Sequence, residues 1–161
     1  LIEVNCRLHG GEGTWAPMAE ACFGFSAVDA SLDAALDPAA FAMLPSLPAP
    51  ANFSCYALEC KLRSPVEGIL KSIDEKNCIA ITQLRSFLNF VSLVDIGKPI
   101  AKTVDAVTAT GVVNLAHKSM KVLREDYETV QAMIEAGLYE VEPHMPEVAS
   151  LALGAEPAET A

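Results

Sequence analysis

Basic residues are scarce in this chain, and so are long apolar runs. Lys and Arg number 11 against 21 Asp and Glu, which gives a formal net charge of −10. Nucleic-acid phosphates and anionic lipid headgroups are bound largely by clustered Lys and Arg. The composition therefore argues against a nucleic acid or an anionic lipid surface as partner. No stretch of about 20 apolar residues is free of charge, so we predict no transmembrane segment.

Paired or metal-binding cysteine motifs are also missing. The five cysteines include no Cys-x-x-Cys pair. If Cys55 and Cys60 lie on one strand, their odd offset places them on opposite faces, which argues against a disulfide between them. We expect free thiols in an intracellular, reducing compartment, and the sequence does not distinguish the cytoplasm from an organelle.

The first residues of the sequence alternate between apolar and polar side chains. In an extended segment Glu3, Asn5 and Arg7 point to the same side. Carboxylate and amide oxygens suit Mg²⁺, and a forked guanidinium suits a phosphoryl or carboxylate group. Gly10 and Gly11 follow, and glycines let backbone N–H groups approach an anion closely. We predict a metal and phosphate site here; the alternative is an exposed strand face on which charges happen to alternate.

This pattern resembles the last catalytic strand of the ATP-grasp ligases, which reads Glu-x-Asn-x-Arg before a Gly-Gly turn. The resemblance implies that Glu3 bridges two Mg²⁺ ions and that Asn5 binds one of them. It also implies that Arg7, the predicted catalytic residue, contacts the transferred phosphoryl group or the acyl phosphate. ATP and Mg²⁺ are accordingly the expected cofactors of a complete enzyme.

We assign Gly10, Gly11 and His9 to cofactor binding. His9 could orient a phosphate or a substrate carboxylate, although a His in a loop is more often only exposed to solvent. Glu12 could likewise contact substrate, and as for His9 the more common alternative is an exposed loop residue. Trp15 stands beside this loop, and packing is a more common role for a single Trp than a substrate platform.

The resemblance extends over most of the chain, to about Val141. Residues 56–73, 97–103 and 111–139 resemble the carboxy-terminal subdomain of amino-acid-ligase-type members. The nucleotide lysines, the glycine-rich flap and a first metal carboxylate would precede Leu1 in that family. We therefore expect a carboxy-terminal fragment of a carboxylate–amine ligase that needs the amino-terminal ATP-grasp part and is not catalytic alone. The alternative is a non-catalytic structural or accessory subunit of a large assembly, derived from a truncated ATP-grasp domain.

The expected fold class is α+β, with a mostly antiparallel sheet packed against helices. Residues 1–141 form the predicted domain: the metal and phosphate strand with its glycine turn over 1–15, helices and a proline-rich connector over 16–54, and an α+β subdomain over 55–141. Residues 142–161 are an acidic tail rich in Ala and Pro.

Helix signals are clear in two places. Ser26, with Asp29 three residues later, predicts a capped helix whose apolar residues should face inward. These residues are Val28, Leu32, Ala35 and Leu36. Apolar residues at three- and four-residue spacing predict a second helix from about Met120 to Ala136, with Ser119 as its cap and Gly137 at its end.

Strands are predicted from alternation. The segments are 56–63, 68–73 and 112–117, together with 87–95, which is apolar on nearly both faces and should be a central strand. Residues 77–84 fit either a short helix or a strand. Polar residues near the predicted turns, such as Arg63 and His117, are expected to serve the local structure rather than a ligand.

Overall fold

The structure is a computed structural model that describes Leu8, residues 11–45 and residues 53–143 of the chain. A 3₁₀ turn at Gly11–Gly13 precedes helices α1, α2 and α3. The remaining elements alternate between strands and helices. The helices are α1 (Ala16–Phe23), α2 (Ala27–Leu36), α3 (Pro38–Met43), α4 (Glu75–Thr82) and α5 (Met120–Ala136). The strands are β1 (Tyr56–Leu62), β2 (Gly68–Ile73), β3 (Phe87–Ser92), β4 (Pro99–Ile100), β5 (Gly111–His117) and β6 (Tyr139–Glu142).

The strands form two three-stranded sheets, in the orders β1-β5-β3 and β4-β2-β6. Within each of these sheets, neighbouring strands are antiparallel. The predicted α+β class with antiparallel sheets is therefore confirmed. None of the helices in residues 11–45 and 53–143 has the length and apolar content needed to cross a membrane.

The main core lies between the first sheet and α5. Leu123, Val130 and Ile134 of α5 are buried against Val113 and Leu115 of β5. Burial of one such side chain contributes roughly 1.5–3 kcal/mol, so this contact is a large part of the stability. The helix has the predicted bounds because its apolar spacing and the terminating glycine agree: Gly137 has a φ of +99°.

The predicted cap of α5 is wrong in detail. The Ser119 side chain makes no capping hydrogen bond. Instead the Ser119 N–H donates to Nδ1 of His117 over 2.9 Å. An imidazole two residues earlier thus accepts from a backbone donor next to the helix, and His117 has the structural role that was expected of it.

Helix α2 begins as predicted but faces the other way. The Ser26 hydroxyl accepts from the Asp29 N–H, and the Asp29 carboxylate accepts from the Ser26 N–H, which completes a capping box. The predicted inward stripe is wrong, because Val28, Leu32 and Leu36 are exposed and no residue of α2 is buried. Helix α1 covers the sheet, and α2 mainly contacts α1 and α3. Periodicity reveals an apolar stripe but does not say what the stripe faces.

One open alternative is resolved, and one strand prediction needs correction. The segment 77–84, which fits either a short helix or a strand, is helical up to Thr82, since α4 begins after Asp74, whose carboxylate accepts from the Asn77 N–H over 2.8 Å. The apolar segment 87–95 is strand only over Phe87–Ser92, and β5, not β3, is central in its sheet. Residues 111–115 of β5 are fully buried, whereas most of β3 is half-buried. The presence of apolar residues on both faces of β3 therefore did not show whether this strand is central in its sheet or at the edge.

The predicted tail overlaps the last strand by one residue. Glu142 ends β6, and its carboxylate pairs with Lys71 of β2 at 2.9 Å. Residues 144–161 lie outside the described residues.

Candidate functional site

Most of the predicted site lies outside the described residues. This applies to Glu3, Asn5, Arg7, His9 and Gly10. Gly11 is described, and it opens the turn that leads to α1. The described residues thus include the turn that follows the predicted metal strand, from Gly11 onward.

Gly11 occupies a position that requires glycine. Its φ is +53°, and a Cβ placed on it would lie 2.7 Å from Nε1 of Trp15 and 2.9 Å from Oγ1 of Thr14. The Gly11 carbonyl accepts from both the N–H and the hydroxyl of Thr14, at 3.1 and 2.7 Å. A side chain at this position would displace the indole ring, so the turn and Trp15 are fitted to each other.

The Glu59 carboxylate holds the end of this turn against the sheet. Its Oε2 accepts from Nε1 of Trp15 at 2.6 Å and lies 2.8 Å from the Thr14 hydroxyl, whose single proton is shared between Oε2 and the Gly11 carbonyl. Its Oε1 pairs with Lys61 at 3.0 Å. The amide of Asn114 donates to the Thr14 carbonyl. We call these five residues the Glu59 clamp. Because hydrogen bonds to an ionised acceptor are stronger than neutral ones, the clamp fixes Thr14 and Trp15 to β1 and β5.

Strand register explains why the clamp forms. Glu59 of β1 lies opposite Asn114 of β5, and Asn114 lies opposite Asn89 of β3. Residues opposite one another in antiparallel strands share a face, so the three polar side chains form a row across the sheet, on the face away from α5. Helix α1 covers this face. The row is therefore largely shielded from water although all three residues are polar.

Two oxygens in this row have no hydrogen-bond partner among the described residues. They are Oδ1 of Asn114, which belongs to a fully buried residue, and Oδ1 of Asn89. Both oxygens are therefore open acceptors under α1. An unpaired buried amide oxygen lowers the free energy of unfolding by roughly 1–3 kcal/mol. In this row both carboxylate oxygens of Glu59 therefore have partners, whereas Asn114 and Asn89 each keep an open acceptor.

An apolar groove of about 520 Å³ adjoins the clamp. Its walls are α1, residues 53–57 and the first residue of α5, and Glu59 is the acidic residue in its lining. Phe23 and Phe53 meet edge to face there, with ring centroids 5.0 Å apart. Trp15 also lines the groove, so its indole combines the expected packing role with a hydrogen bond that the sequence did not predict.

Two thiols lie at the same groove. Sγ of Cys22 is 3.6 Å from Sγ of Cys55, and the Cys55 thiol donates to the Ala21 carbonyl over 3.3 Å. Burial, with a smaller effect from the hydrogen bond to Cys55, raises the pKa of Cys22 to about 11. Cys22, Cys55, Cys60 and Cys78 are all free. The prediction of free thiols is confirmed for these four residues, whereas Cys6 is not described.

The other basic residues that were considered have local partners. Arg63 donates to Oε1 of Gln131 over 2.7 Å, which ties the end of β1 to α5. Lys61 belongs to the Glu59 clamp. The contact of Arg63 with Gln131 agrees with the structural role predicted for Arg63.

Sequence reasoning missed Glu59 and Asn114 as site residues. Alternation placed Glu59 on the polar face of β1, and nothing local indicated that residues more than 40 positions earlier would cover that face. A buried Asn in an otherwise apolar strand was the available signal, since Asn114 interrupts a run of Val and Leu.

Within the described parts of the chain, no group of three or more His, Cys, Asp or Glu side chains could hold a metal ion. Comparisons with protein-family models, curated proteins and solved structures found no match to this chain.

Proposed function

We propose that this chain is the carboxy-terminal portion of an ATP-grasp carboxylate–amine ligase. In this reaction ATP phosphorylates a carboxylate, and an amine then displaces phosphate from the acyl phosphate to give an amide, ADP and phosphate. The observation that carries the proposal is the spacing of Glu3, Asn5 and Arg7 before Gly10 and Gly11. In an extended segment these three polar groups would share one side, and the glycines that follow would let backbone N–H groups approach an anion.

The donor set fits the implied metal. A carboxylate from Glu3 and an amide oxygen from Asn5 are hard oxygen ligands, which Mg²⁺ prefers together with substrate phosphates and water. When bound, Mg²⁺ supplies charge neutralisation at the phosphoryl oxygens. Arg7 would orient the transferred phosphoryl group through its guanidinium, and Gly10, Gly11 and His9 would contact the same anion. Catalysis would then rest mainly on positioning and electrostatics.

The described structure supports this proposal at one point. The turn that follows the motif is held by the Glu59 clamp and by the close fit of Gly11 to Trp15. A catalytic strand gains from such an anchor, because phosphoryl transfer depends on placing groups to within a fraction of an ångström. An antiparallel α+β architecture is also compatible with the proposed origin.

The proposal is tested by ATP turnover with this chain joined to its amino-terminal ATP-grasp part. Mg²⁺-dependent ADP formation is measured with a panel of carboxylates and amines. Glu3→Gln should lower kcat at least about 100-fold, as expected when a metal ligand at a phosphoryl-transfer site is lost. The matched control is Glu67→Gln, an exposed carboxylate in the loop after β1. Retained turnover in Glu3→Gln would refute the metal role.

A second candidate function is a structural subunit of a larger assembly. The observation that favours it is the exposed apolar stripe of α2, which residues 11–45 and 53–143 leave uncovered. The two functions differ in one readout. In a structural subunit, Glu3→Gln would leave every measured property of the assembly unchanged, whereas changes on α2 would dissociate it.

A further inference from the structure

Helix α2 presents its apolar residues to solvent along its whole length. Val28, Leu32 and Leu36 are 50%, 53% and 79% exposed, and they follow one another at four-residue spacing on one face. Met43 of the adjoining α3 is 83% exposed. Soluble monomers rarely expose large apolar side chains grouped in this way, and such groups often mark interaction sites. We call Val28, Leu32 and Leu36 the α2 stripe.

An aspartate follows each residue of the α2 stripe. Asp29, Asp33 and Asp37 therefore form a second row at the same four-residue spacing, about 100° further round the helix axis. None of the three is paired with a basic side chain in the described part of the chain. Hydrogen bonds from Ser26 lower the pKa of Asp29, so this carboxylate is ionised at neutral pH.

The segment that contains this helix carries charge of a single sign. Residues 11–45 contain five acidic residues and no Lys, Arg or His. Ten of the 11 basic residues of the chain lie in residues 53–143, and Arg7 is the remaining one. A partner that covers the α2 stripe must therefore approach a surface that is both apolar and acidic.

We propose that the α2 stripe is a docking site for a basic amphipathic helix of a partner polypeptide. The apolar row of the partner would cover Val28, Leu32 and Leu36, and its Lys or Arg residues would lie along the aspartate row. Pairing of an apolar helix face with complementary flanking charges is a common mode of helix recognition. The proposal does not depend on the ligase function and goes beyond it.

Charge argues against two other occupants. A second copy docked symmetrically through this face would bring the aspartate row close to its equivalent, and like charges across an interface cost free energy. Residues 144–161 carry three Glu and no Lys or Arg, so they would meet the same repulsion. A basic helix is the occupant that satisfies both the apolar and the acidic row.

Synthetic helical peptides test the charge requirement. Three labelled peptides of about five turns share one Leu row and differ only in the flanking residues, which are Lys, Gln or Glu. Fluorescence anisotropy with the full chain should give at least about tenfold tighter binding for the Lys peptide than for the Glu peptide at about 50 mM NaCl. The ratio should fall several-fold at about 500 mM NaCl, because salt screens exposed charges.

Two variants test the two rows separately. Leu32→Gln combined with Leu36→Gln should weaken the Lys peptide about tenfold or more, whereas the control Val107→Gln, at a side chain 92% exposed in the loop before β5, should not. Asp33→Asn combined with Asp37→Asn should remove most of the preference for Lys over Glu, and Asn keeps a side-chain oxygen that can cap α3. Glu128→Gln, on the exposed face of α5, is the matched charge control.

The outcomes separate the possible occupants. Selective binding of the Lys peptide that both double variants reduce supports the proposal. Equal binding of the three peptides, or no binding of any, overturns it. Sedimentation that shows self-association of the chain, lost in the Leu32 and Leu36 double variant, would identify a second copy as the occupant and would also overturn it. Circular dichroism of each variant verifies that the fold is retained.

Discussion

Removal of the Glu59 carboxylate should loosen the turn that follows the predicted metal strand. In Glu59→Ala, Trp15 Nε1 loses its 2.6 Å acceptor, while the Thr14 hydroxyl keeps the Gly11 carbonyl at 2.7 Å. Loss of a hydrogen bond to a charged, mostly buried acceptor costs roughly 1.5–3 kcal/mol. We expect the free energy of unfolding to fall by about that amount.

A double-mutant cycle isolates the hydrogen bond itself. Trp15→Phe keeps an aromatic ring but removes the donor, so it should cost about 1–2 kcal/mol, and its coupling to Glu59→Ala should be about 1 kcal/mol. Urea unfolding followed by far-ultraviolet circular dichroism measures all four proteins. In proteins that keep Trp15, its fluorescence reports the turn locally, because it is the only Trp in the chain.

The exposed carboxylate Glu67 provides the control for this cycle. Glu67→Ala should change the free energy of unfolding by less than about 0.5 kcal/mol. Either of two results would contradict a stabilising role of the Glu59 hydrogen bond: a cost for Glu59→Ala no larger than that of the control, or a coupling energy below about 0.3 kcal/mol.

Asp126→Ala should lower the free energy of unfolding by roughly 2–4 kcal/mol. The buried N–H and hydroxyl of Ser86 would lose the carboxylate that accepts from them at 2.8 and 2.7 Å. A urea unfolding curve identical to that of the wild type would contradict this. Gly11→Ala should lower the free energy of unfolding by at least about 1–2 kcal/mol and shift the fluorescence emission of Trp15, since φ is +53° and the added Cβ meets the indole. An unchanged emission spectrum and stability would show that the turn accommodates the methyl group. Cys22, with its pKa raised to about 11, should hold about 100-fold less thiolate at pH 8 than an ordinary thiol of pKa 9.0. Its alkylation, followed by mass spectrometry, should therefore be slow until the chain is unfolded in urea. Equal alkylation rates in folded and unfolded protein would contradict the burial of this thiol.

Local patterns predicted the regular elements well. Helix α5 has the predicted bounds, and β1, β2 and β5 lie within a residue of theirs. These segments combine a clear period with a clear terminator, such as Gly137 after α5. The capping box at Ser26 was likewise predictable, because it involves only residues three positions apart.

Contacts between distant segments were not predictable in this way. The Glu59 clamp joins side chains more than 40 residues apart, and its geometry depends on the β1–β5 register and on the position of α1. The orientation of α2 was wrong for a related reason. A helical period fixes which residues share a face, but only tertiary packing decides whether that face meets the sheet or the solvent.

Binding of a divalent cation by Glu3 and Asn5 can be measured with Mn²⁺ in place of Mg²⁺. With this chain joined to its amino-terminal ATP-grasp part and ATP present, free Mn²⁺ is counted by electron paramagnetic resonance for the wild type, Glu3→Gln and the control Glu67→Gln. We predict tight Mn²⁺ binding by wild type and control and at least about tenfold weaker binding by Glu3→Gln, since a carboxylate ligand is lost. Equal Mn²⁺ affinity in all three proteins would contradict the proposed site.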